Sequence, residues 1–254
     1  TPGVLSLHAR RTMLEIVNVS KHFVTGKGKT QTDVYPLKNV SLTVENGKKV
    51  GLVGKSGEGK STLANIVCGL VVPSEGRVLI DGQPLWSEKN RYDKKIGMAI
   101  QLIPQKPLLA LDPSQRIGSA IKEALVFAKH AKRGNDATQK TYALFDEVGL
   151  EHTLASRLPV HLSGGQAQRA VIARALALNP KILVCDESTS MLDPTTQKSI
   201  VELLDKLVKE KNISLLFISH DMRLVDDFCD EAFEIKDGTL SKVAGYRNET
   251  EEKL

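Results

Sequence analysis

Apolar and polar residues alternate along the first part of the chain, a pattern typical of β-strands with one buried face. It predicts strands over residues 13–23 and 36–44. Asn46-Gly47 follows the second strand and precedes the strand-like run "KKVGLVG", residues 48–54. Since Asn-Gly favours tight turns between paired strands, the sequence predicts a β-hairpin there.

Another hairpin is predicted over residues 76–85, with Asp81-Gly82 at its turn. From about residue 105 to 179 the apolar period changes from that of strands to that of helices. We therefore expect a helical insertion, with helices over 114–131 and 137–150.

Beyond Pro180 the chain returns to strands, at 181–185 and 213–219, with a helix beginning after Pro194. Both runs are apolar at consecutive positions rather than at alternate ones. Strands of this kind occur in parallel sheets that are covered on both faces. The pattern therefore predicts an α/β fold.

The 254 residues are 41% hydrophobic, enough to bury a core in one domain with an inserted subdomain. The net charge is +5, but acidic and basic residues are interspersed and only 4% of residues are aromatic. This balance indicates a solvated surface, and we expect no nucleic-acid partner. The three cysteines lack metal-like spacing, so we expect reduced thiols. No stretch approaches the ~20 apolar residues of a membrane span. Residues 1–12 are predicted to be a leader.

The segment "GLVGKSGEGKST", residues 51–62, contains the pattern G-x-x-x-x-G-K-S between a predicted strand and a predicted helix. Glycines in such a loop let backbone N–H groups surround phosphates, and the helix N-terminus adds positive potential. Lys60 would reach the β- and γ-phosphates, and Ser61 would bind Mg²⁺. The predicted ATP-binding residues of this loop are Gly54, Ser56, Gly57, Gly59, Lys60, Ser61 and Thr62.

Two carboxylates, Asp186 and Glu187, follow the strand "KILVC". Ligands of open α/β sheets bind at the carboxyl ends of strands, so both would face the phosphates. We predict that Asp186 holds Mg²⁺ through water and that Glu187 polarises the attacking water.

The stretch "HLSGGQAQRA", residues 161–170, predicts a second anion site without a lysine. Ser163 can cap the helix that follows, and Gly164 and Gly165 leave its first N–H groups uncovered. Asn179-Pro180 then stops this helix.

Taken in order, these motifs resemble the nucleotide-binding subunits of ATP-binding-cassette (ABC) transporters. The resemblance covers residues 13 to about 240 and rests on "GKSGEGKS", "LIPQKP", "LSGGQ", "ILVCDE", "SMLD" and "ISHD". It implies a RecA-like P-loop NTPase core with an antiparallel β subdomain and an inserted helical subdomain. The implied domain is 13–254, divided into a core (13–104 and 180–245), a helical subdomain (105–179) and a flexible tail (246–254).

In this family two cassettes dock head to tail, which would explain the incomplete anion site. The resemblance implies that Ser163, Gly165 and Gln166 contact the γ-phosphate of ATP bound by a partner cassette, and that Asp193 contacts the facing subunit. ATP would then hold the dimer together, and hydrolysis would release it.

Further roles follow from the same resemblance. Gln105 corresponds to a hinge glutamine that meets Mg²⁺ and the attacking water, although Pro104 replaces the usual aromatic before it. His220 would contact the γ-phosphate. Phe23 would stack on adenine, with Tyr35 as the alternative and core packing as the competing explanation.

Within the family, residues 102–121 resemble the peptide and nickel importer branch. The short C-terminal segment and the unusual Lys55 and Glu58 depart from that branch. The resemblance implies an identical or paralogous second ATPase subunit, transmembrane permease subunits and, indirectly, an extracytoplasmic solute-binding protein. It implies ATP and Mg²⁺ as cofactors and a peripheral location at the cytoplasmic face of the membrane.

Three alternatives share the nucleotide-binding motifs. An exporter or lipoprotein-releasing ATPase would differ in residues 102–121, which face the membrane subunit. DNA-repair and translation ATPases generally carry a long coiled-coil insertion or tandem cassettes, and neither is present. A non-hydrolysing cassette is disfavoured by Glu187, His220 and the intact signature at 162–166.

Overall fold

The computed structural model describes residues 12–25, 32–87, 89 and 91–243, which form two β-sheets with helices packed against them. The strands are β1 (Thr12–Thr25), β2 (Thr32–Glu45), β3 (Lys49–Val53), β4 (Glu75–Ile80), β5 (Gln83–Pro84), β6 (Ile100–Ile103), β7 (Ile182–Asp186), β8 (Ser214–Ile218), β9 (Glu231–Lys236) and β10 (Thr239–Lys242). One sheet is antiparallel, in the order β2-β1-β4-β5. The other has the order β10-β9-β3-β8-β7-β6 and is parallel except for β10, which pairs antiparallel with β9.

The hairpin predicted at Asn46-Gly47 is wrong, because β2 and β3 belong to different sheets. The turn carries the chain from one sheet to the other. It is anchored by Ser214, whose hydroxyl accepts from the N–H of Gly47 (3.0 Å) and donates to the carbonyl of Glu45 (3.1 Å). β3 is apolar at consecutive positions, so it is buried between β8 and β9 instead of pairing with the half-exposed β2.

The hairpin predicted at Asp81-Gly82 is confirmed. β4 and β5 pair with Ile80 opposite Gln83. Asp81 (φ +51°) and Gly82 (φ +75°) both have the left-handed conformation of a type I′ turn, which fits the twist of the paired strands.

Helices dominate the stretch between β6 and β7, as the sequence predicts. The helix expected at 114–131 is shorter, because Lys129 takes a positive φ of 60° and ends it. The sequence analysis did not predict β6, β9, β10 or the last helix. The helices are α1 (Lys60–Val67), α2 (Lys94–Gly97), α3 (Ile117–Phe127), α4 (Asn135–Val148), α5 (Gly164–Leu176), α6 (Pro194–Lys211) and α7 (Met222–Phe228), with short 3₁₀ turns at Pro107–Ala110, His152–Ser156 and Pro159–His161.

The six-stranded sheet has a core on each face. Along β7, Leu183 and Cys185 are buried in the cluster that includes α3 to α6. Ile182 and Val184 are buried in the cluster formed with α1 and the antiparallel sheet. The prediction of a sheet covered on both faces is therefore confirmed.

The predicted leader at 1–12 lies outside the described residues except for Thr12, which begins β1, and so does the predicted tail at 246–254. The predicted division into core and helical subdomain stays a prediction. None of the helices in the described part of the chain has the length and apolar character needed to cross a membrane.

Candidate functional site

The predicted phosphate loop, 54–59, connects β3 to α1. Its two ends require glycine. Gly54 has φ +149°, and a Cβ there would lie 2.5 Å from the carbonyl oxygen of Ile235. Gly59 has φ +104°, and a Cβ there would lie 2.2 Å from the carbonyl oxygen of Pro36. Side chains are therefore excluded where the loop leaves the sheet and where it enters the helix.

The middle of the loop faces solvent. Ser56 and Gly57 are exposed there, and Ser61 and Thr62 belong to the first turn of α1. Consecutive backbone N–H groups followed by a helix N-terminus form a suitable cradle for an anion.

Lys60 extends beneath this loop and is only 4% exposed. Its ammonium donates to the carbonyls of Gly54 (2.7 Å) and Lys55 (2.8 Å). Its Nζ also lies 3.8 Å from Oε1 of Glu187. The structure thus holds a desolvated positive charge directly under the loop.

Asp186 ends β7, the strand that packs against α1. The Ser61 hydroxyl donates to its Oδ1 at 3.3 Å. Burial raises the pKa of the Asp186 carboxyl; the Ser61 hydrogen bond opposes this increase, and the neighbouring charge of Glu187 adds to it. The hydroxyl of Ser61 and the carboxylate of Asp186 therefore lie together at the carboxyl edge of the parallel sheet.

Three side chains converge on the carboxylate of Glu187. Besides Lys60, Gln105 donates from Nε2 to Oε2 at 3.0 Å. Nδ1 of His220 lies 3.6 Å from the same oxygen, and the His220 side chain remains 62% exposed. The predicted catalytic residues are therefore adjacent in space, although Gln105 and Glu187 are 82 positions apart.

The signature segment, residues 162–166, forms the helix start that the sequence predicts. The Ser163 hydroxyl accepts from the N–H of Gln166 (3.3 Å), and the Gln166 side chain accepts from the N–H of Ser163 (3.0 Å). This capping box begins α5. Gly165 is needed for packing, because a Cβ there would lie 2.6 Å from Cγ2 of Thr196. Within the described residues, no hydrogen bond connects this segment to the phosphate loop.

Asp193 caps another helix, α6, and its Oδ1 accepts from the N–H of Thr196 at 3.0 Å. The side-chain hydrogen bond from Thr196 is the main cause that lowers the pKa of Asp193. Both Asp193 and the signature segment therefore contact Thr196, through its backbone and its methyl group respectively.

The two candidate adenine-stacking residues lie on β1 and β2. Phe23 is 38% exposed, with the ammonium of Lys21 at 4.8 Å from its ring centroid. Tyr35 is 50% exposed and stacks on His22, with centroids 4.6 Å apart. Both rings are accessible, so the geometry leaves both assignments open.

Two contacts were not anticipated from the sequence. The carboxylate of the unusual Glu58 accepts from the N–H of Lys55 at 2.9 Å, which braces the phosphate loop internally. The Ser190 hydroxyl accepts from Nε2 of Gln105 at 3.3 Å, which gives Gln105 a second anchor. The spacing of these residues in sequence carries no signal for either contact, because both depend on how the loops fold.

Comparisons with known proteins agree with this geometry. A family model described as "ABC transporter" matches residues 37–190. The nickel import ATP-binding protein NikE of Escherichia coli strain K12 is 36% identical over 231 residues, covering 90% of this chain and 85% of NikE. The oligopeptide transport ATP-binding protein OppF of Salmonella typhimurium strain LT2 is 35% identical over 245 residues, covering 94% of this chain and 73% of OppF.

Among solved structures, a dimeric post-hydrolysis state of the ATP-binding cassette MJ0796 bound to ADP and Pi has a TM-score of 0.79. It is 33% identical and covers 92% of this chain and 100% of that chain. This neighbour confirms the predicted fold class, and the two sequence relatives confirm the resemblance to the peptide and nickel importer branch.

Proposed function

This chain belongs to the ABC transporter family, and from that premise we propose that it is the Mg²⁺-dependent ATPase that powers import of a solute. One observation carries the proposal: Lys60, Gln105 and His220 surround the carboxylate of Glu187. The arrangement supports hydrolysis rather than nucleotide binding alone, because a carboxylate beside the phosphate loop can accept a proton from water.

The protein groups have distinct proposed roles. Lys60 leaves the carbonyls of Gly54 and Lys55 and pairs with the β- and γ-phosphates, where its low exposure strengthens the attraction. Glu187 polarises the attacking water. Gln105 orients that water, and His220 donates to the γ-phosphate.

The residues present fit Mg²⁺. The hydroxyl of Ser61 and the carboxylate of Asp186 are hard oxygen ligands 3.3 Å apart, and Gln105 would supply a further contact. The described part of the chain holds no group of three or more His, Cys, Asp or Glu side chains able to bind a metal. Water and ATP phosphates would therefore complete the coordination, as Mg²⁺ prefers. When bound, the ion neutralises phosphate charge.

A second cassette would complete the site. Ser163, Gly165 and Gln166 present a helix N-terminus, and in the described residues no hydrogen bond connects it to the phosphate loop of the same chain. Asp193 lies close by, because both it and Gly165 contact Thr196. We propose that these residues contact ATP held by the partner's phosphate loop, whether the partner is identical or paralogous. Phe23 is proposed to stack on adenine of the chain's own nucleotide.

The relatives suggest the cargo class. NikE is named for nickel import and OppF for oligopeptide transport. We propose that this chain energises uptake of nickel, a metal chelate or a peptide and works at the cytoplasmic face of a membrane. The cargo passes through permease subunits, to which a solute-binding protein delivers it.

ATP turnover of Glu187→Gln tests the proposal. The substitution keeps the shape of the side chain and removes the negative charge, so turnover should fall about a hundredfold or more while ATP binding persists. Phosphate release would be measured with Mg²⁺ and after chelation of divalent ions with EDTA, which should abolish wild-type turnover.

Glu202→Gln is the matched control, because Glu202 is an exposed α6 residue whose side chain is 66% accessible and lies 4.0 Å from the ammonium of Lys198. It should retain wild-type turnover. Full activity of Glu187→Gln, or wild-type turnover without Mg²⁺, would contradict the proposed mechanism.

A further inference from the structure

The phosphate loop carries an acidic residue, Glu58, whose side chain is tied to the start of the same loop. Its Oε2 accepts from the N–H of Lys55 at 2.9 Å, and its own N–H donates to the Lys55 carbonyl at 3.4 Å. Gly57 lies between them with φ +86°, a conformation that glycine adopts without strain. Residues 55–58 therefore form a turn that is closed both by its backbone and by a carboxylate.

The bare Cα of Gly54 makes room for this carboxylate. A Cβ at position 54 would lie 3.0 Å from Oε2 of Glu58. Glu58 is half-buried there, whereas the three residues before it, Lys55, Ser56 and Gly57, are exposed. The Glu58 side chain thus folds back onto the loop instead of extending into solvent.

Lys60 provides the other support of the loop start. Its ammonium donates to the carbonyls of Gly54 and Lys55 at 2.7 and 2.8 Å. In the proposed function Lys60 gives up both carbonyls when it pairs with the phosphates. The Glu58 carboxylate holds the N–H of Lys55 and not its carbonyl, so this hydrogen bond can persist after Lys60 has moved.

The negative charge of Glu58 is not compensated by a neighbouring cation. In the part of the chain that the structure describes, no lysine, arginine or histidine side chain forms an ion pair with it. A nucleotide brings more negative charge to the same loop, and like charges at short range repel each other. The carboxylate therefore orders the loop and at the same time repels the phosphates.

We propose that Glu58 is a positioning residue that raises the population of the binding-competent loop and, through its charge, weakens nucleotide binding. This inference rests on the proposed function, in which the loop binds ATP. Where only a fraction of the molecules holds the competent loop, the observed dissociation constant rises by the inverse of that fraction. The hydrogen bond and the charge of Glu58 thus change nucleotide affinity in opposite directions.

Two substitutions separate these effects, because Glu58→Gln and Glu58→Met both remove the charge and nearly keep the length of the side chain. The first keeps an oxygen that can accept from the N–H of Lys55, and the second does not. Glu58→Gln should bind Mg²⁺-ADP about threefold more tightly than wild type at low salt, and high salt should reduce this gain by screening the charge. Glu58→Met should bind about fivefold more weakly than Glu58→Gln.

Isothermal titration calorimetry measures these affinities without turnover, since ADP is not hydrolysed at this site. Glu58→Ala also lacks the acceptor and should bind like Glu58→Met, which separates the loss of the hydrogen bond from any effect of the methionine side chain. Glu202→Gln and Glu202→Met are the matched controls, because Glu202 is exposed on α6. Both should bind ADP like wild type.

Hydrogen exchange of the Lys55 N–H tests the hydrogen bond in the absence of nucleotide. In protein labelled with ¹⁵N-lysine, Lys55→Arg identifies the signal, because it replaces only an exposed side chain. Exchange should be slow in wild type and in Glu58→Gln, and several times faster in Glu58→Met. Position 58 is not adjacent to residue 55, so the intrinsic exchange rate of this N–H is the same in all three proteins.

Equal exchange of the Lys55 N–H, or equal ADP affinity, in Glu58→Gln and Glu58→Met would overturn the proposed role of the hydrogen bond. Binding of ADP to Glu58→Gln no tighter than to wild type would overturn the proposed role of the charge. A wild-type chain that binds neither ADP nor ATP would instead contradict the proposed function. The exchange measurement needs no nucleotide, so the two failures are distinguishable.

Discussion

Glu187 has φ +47°, a left-handed backbone conformation that residues other than glycine seldom adopt. Its N–H donates to the carbonyl of Ile218 at 3.0 Å. Its carbonyl accepts from the N–H (3.1 Å) and the hydroxyl (2.9 Å) of Ser190. These bonds hold an unfavourable conformation in place, which directs the carboxylate toward Lys60 and Gln105.

The carboxylate of Asp186, next to Glu187 in the chain, lowers the folding stability of the protein at neutral pH. Burial raises its pKa, so the folded state binds more protons than the unfolded state between the two pKa values. Folding stability is therefore lost as the pH rises through the pKa of the folded state. Without nucleotide, Asp186→Asn should be more stable than wild type at neutral pH, and the difference should shrink near the ordinary pKa of Asp, about 3.9.

Urea unfolding at the two pH values measures this difference, and Asp205→Asn is a control of opposite sign. Burial of Asp205 opposes ionisation, but hydrogen bonds from Lys209 and Lys49 lower its pKa. The ionised Asp205 therefore adds to folding stability above the pKa that it has in the unfolded chain. Asp205→Asn removes this contribution and should destabilise the protein at neutral pH. A destabilised Asp186→Asn would refute the argument from burial.

At the scale of elements, the start of α5 combines two tasks. The capping box of Ser163 and Gln166 uses side chains to satisfy two backbone N–H groups. Gly165 packs against Thr196 of α6, so the helix start is fixed to its neighbour. The segment is thus held in place by contacts within its own chain, which would favour the proposed contact with a partner's ATP, because little ordering remains to be done.

Ser163→Ala should lower the free energy of unfolding by about 1 kcal/mol, since it removes the capping acceptor. Denaturant titration would measure the loss. Ser119→Ala is the control, because Ser119 is exposed in the first turn of α3, does not cap the helix, and alanine has the higher helix propensity. Equal stability of both variants would show that the cap contributes nothing.

At the scale of the whole molecule, the phosphate loop and the signature segment are the two proposed half-sites for ATP, and they are separate in the chain. The loop lies at the end of β3, whereas the signature segment lies within the helical stretch between β6 and β7, at the start of α5. The chain is the ATP-binding subunit of an ABC transporter, and a structural neighbour is a dimer bound to ADP and Pi. A second cassette is the simplest way to join the two half-sites around one nucleotide.

Light scattering of Glu187→Gln measures this association directly. We expect the mass of a monomer without nucleotide or with ADP, and of a dimer with Mg²⁺-ATP, because slow hydrolysis preserves the γ-phosphate that both half-sites are proposed to contact. Adding Lys60→Ala to this variant should prevent the change. A monomer that retains ATP would contradict a homodimer and would direct attention to a paralogous partner cassette.

Local patterns were sufficient for much of the fold and the site. Consecutive apolar positions predicted β7 and β8 as strands buried on both faces, and Asp81-Gly82 predicted a hairpin. The glycines and Lys60 predicted the phosphate loop, because this pattern lies within a few consecutive residues. The close approach of Ile235 to Gly54 and of Pro36 to Gly59 became visible only in the fold. Motif order along the chain was enough to indicate the family.

Tertiary structure decided what local patterns could not. Asn46-Gly47 has a hairpin sequence, yet β3 is buried between β8 and β9, because sheet burial outweighs the preference of a turn. The contact of Gln105 with Glu187 across 82 positions depends on how distant segments pack. The sequence by itself determined which residues could bind phosphate. The packing decided which of them meet, because contact between distant residues follows from topology rather than from spacing.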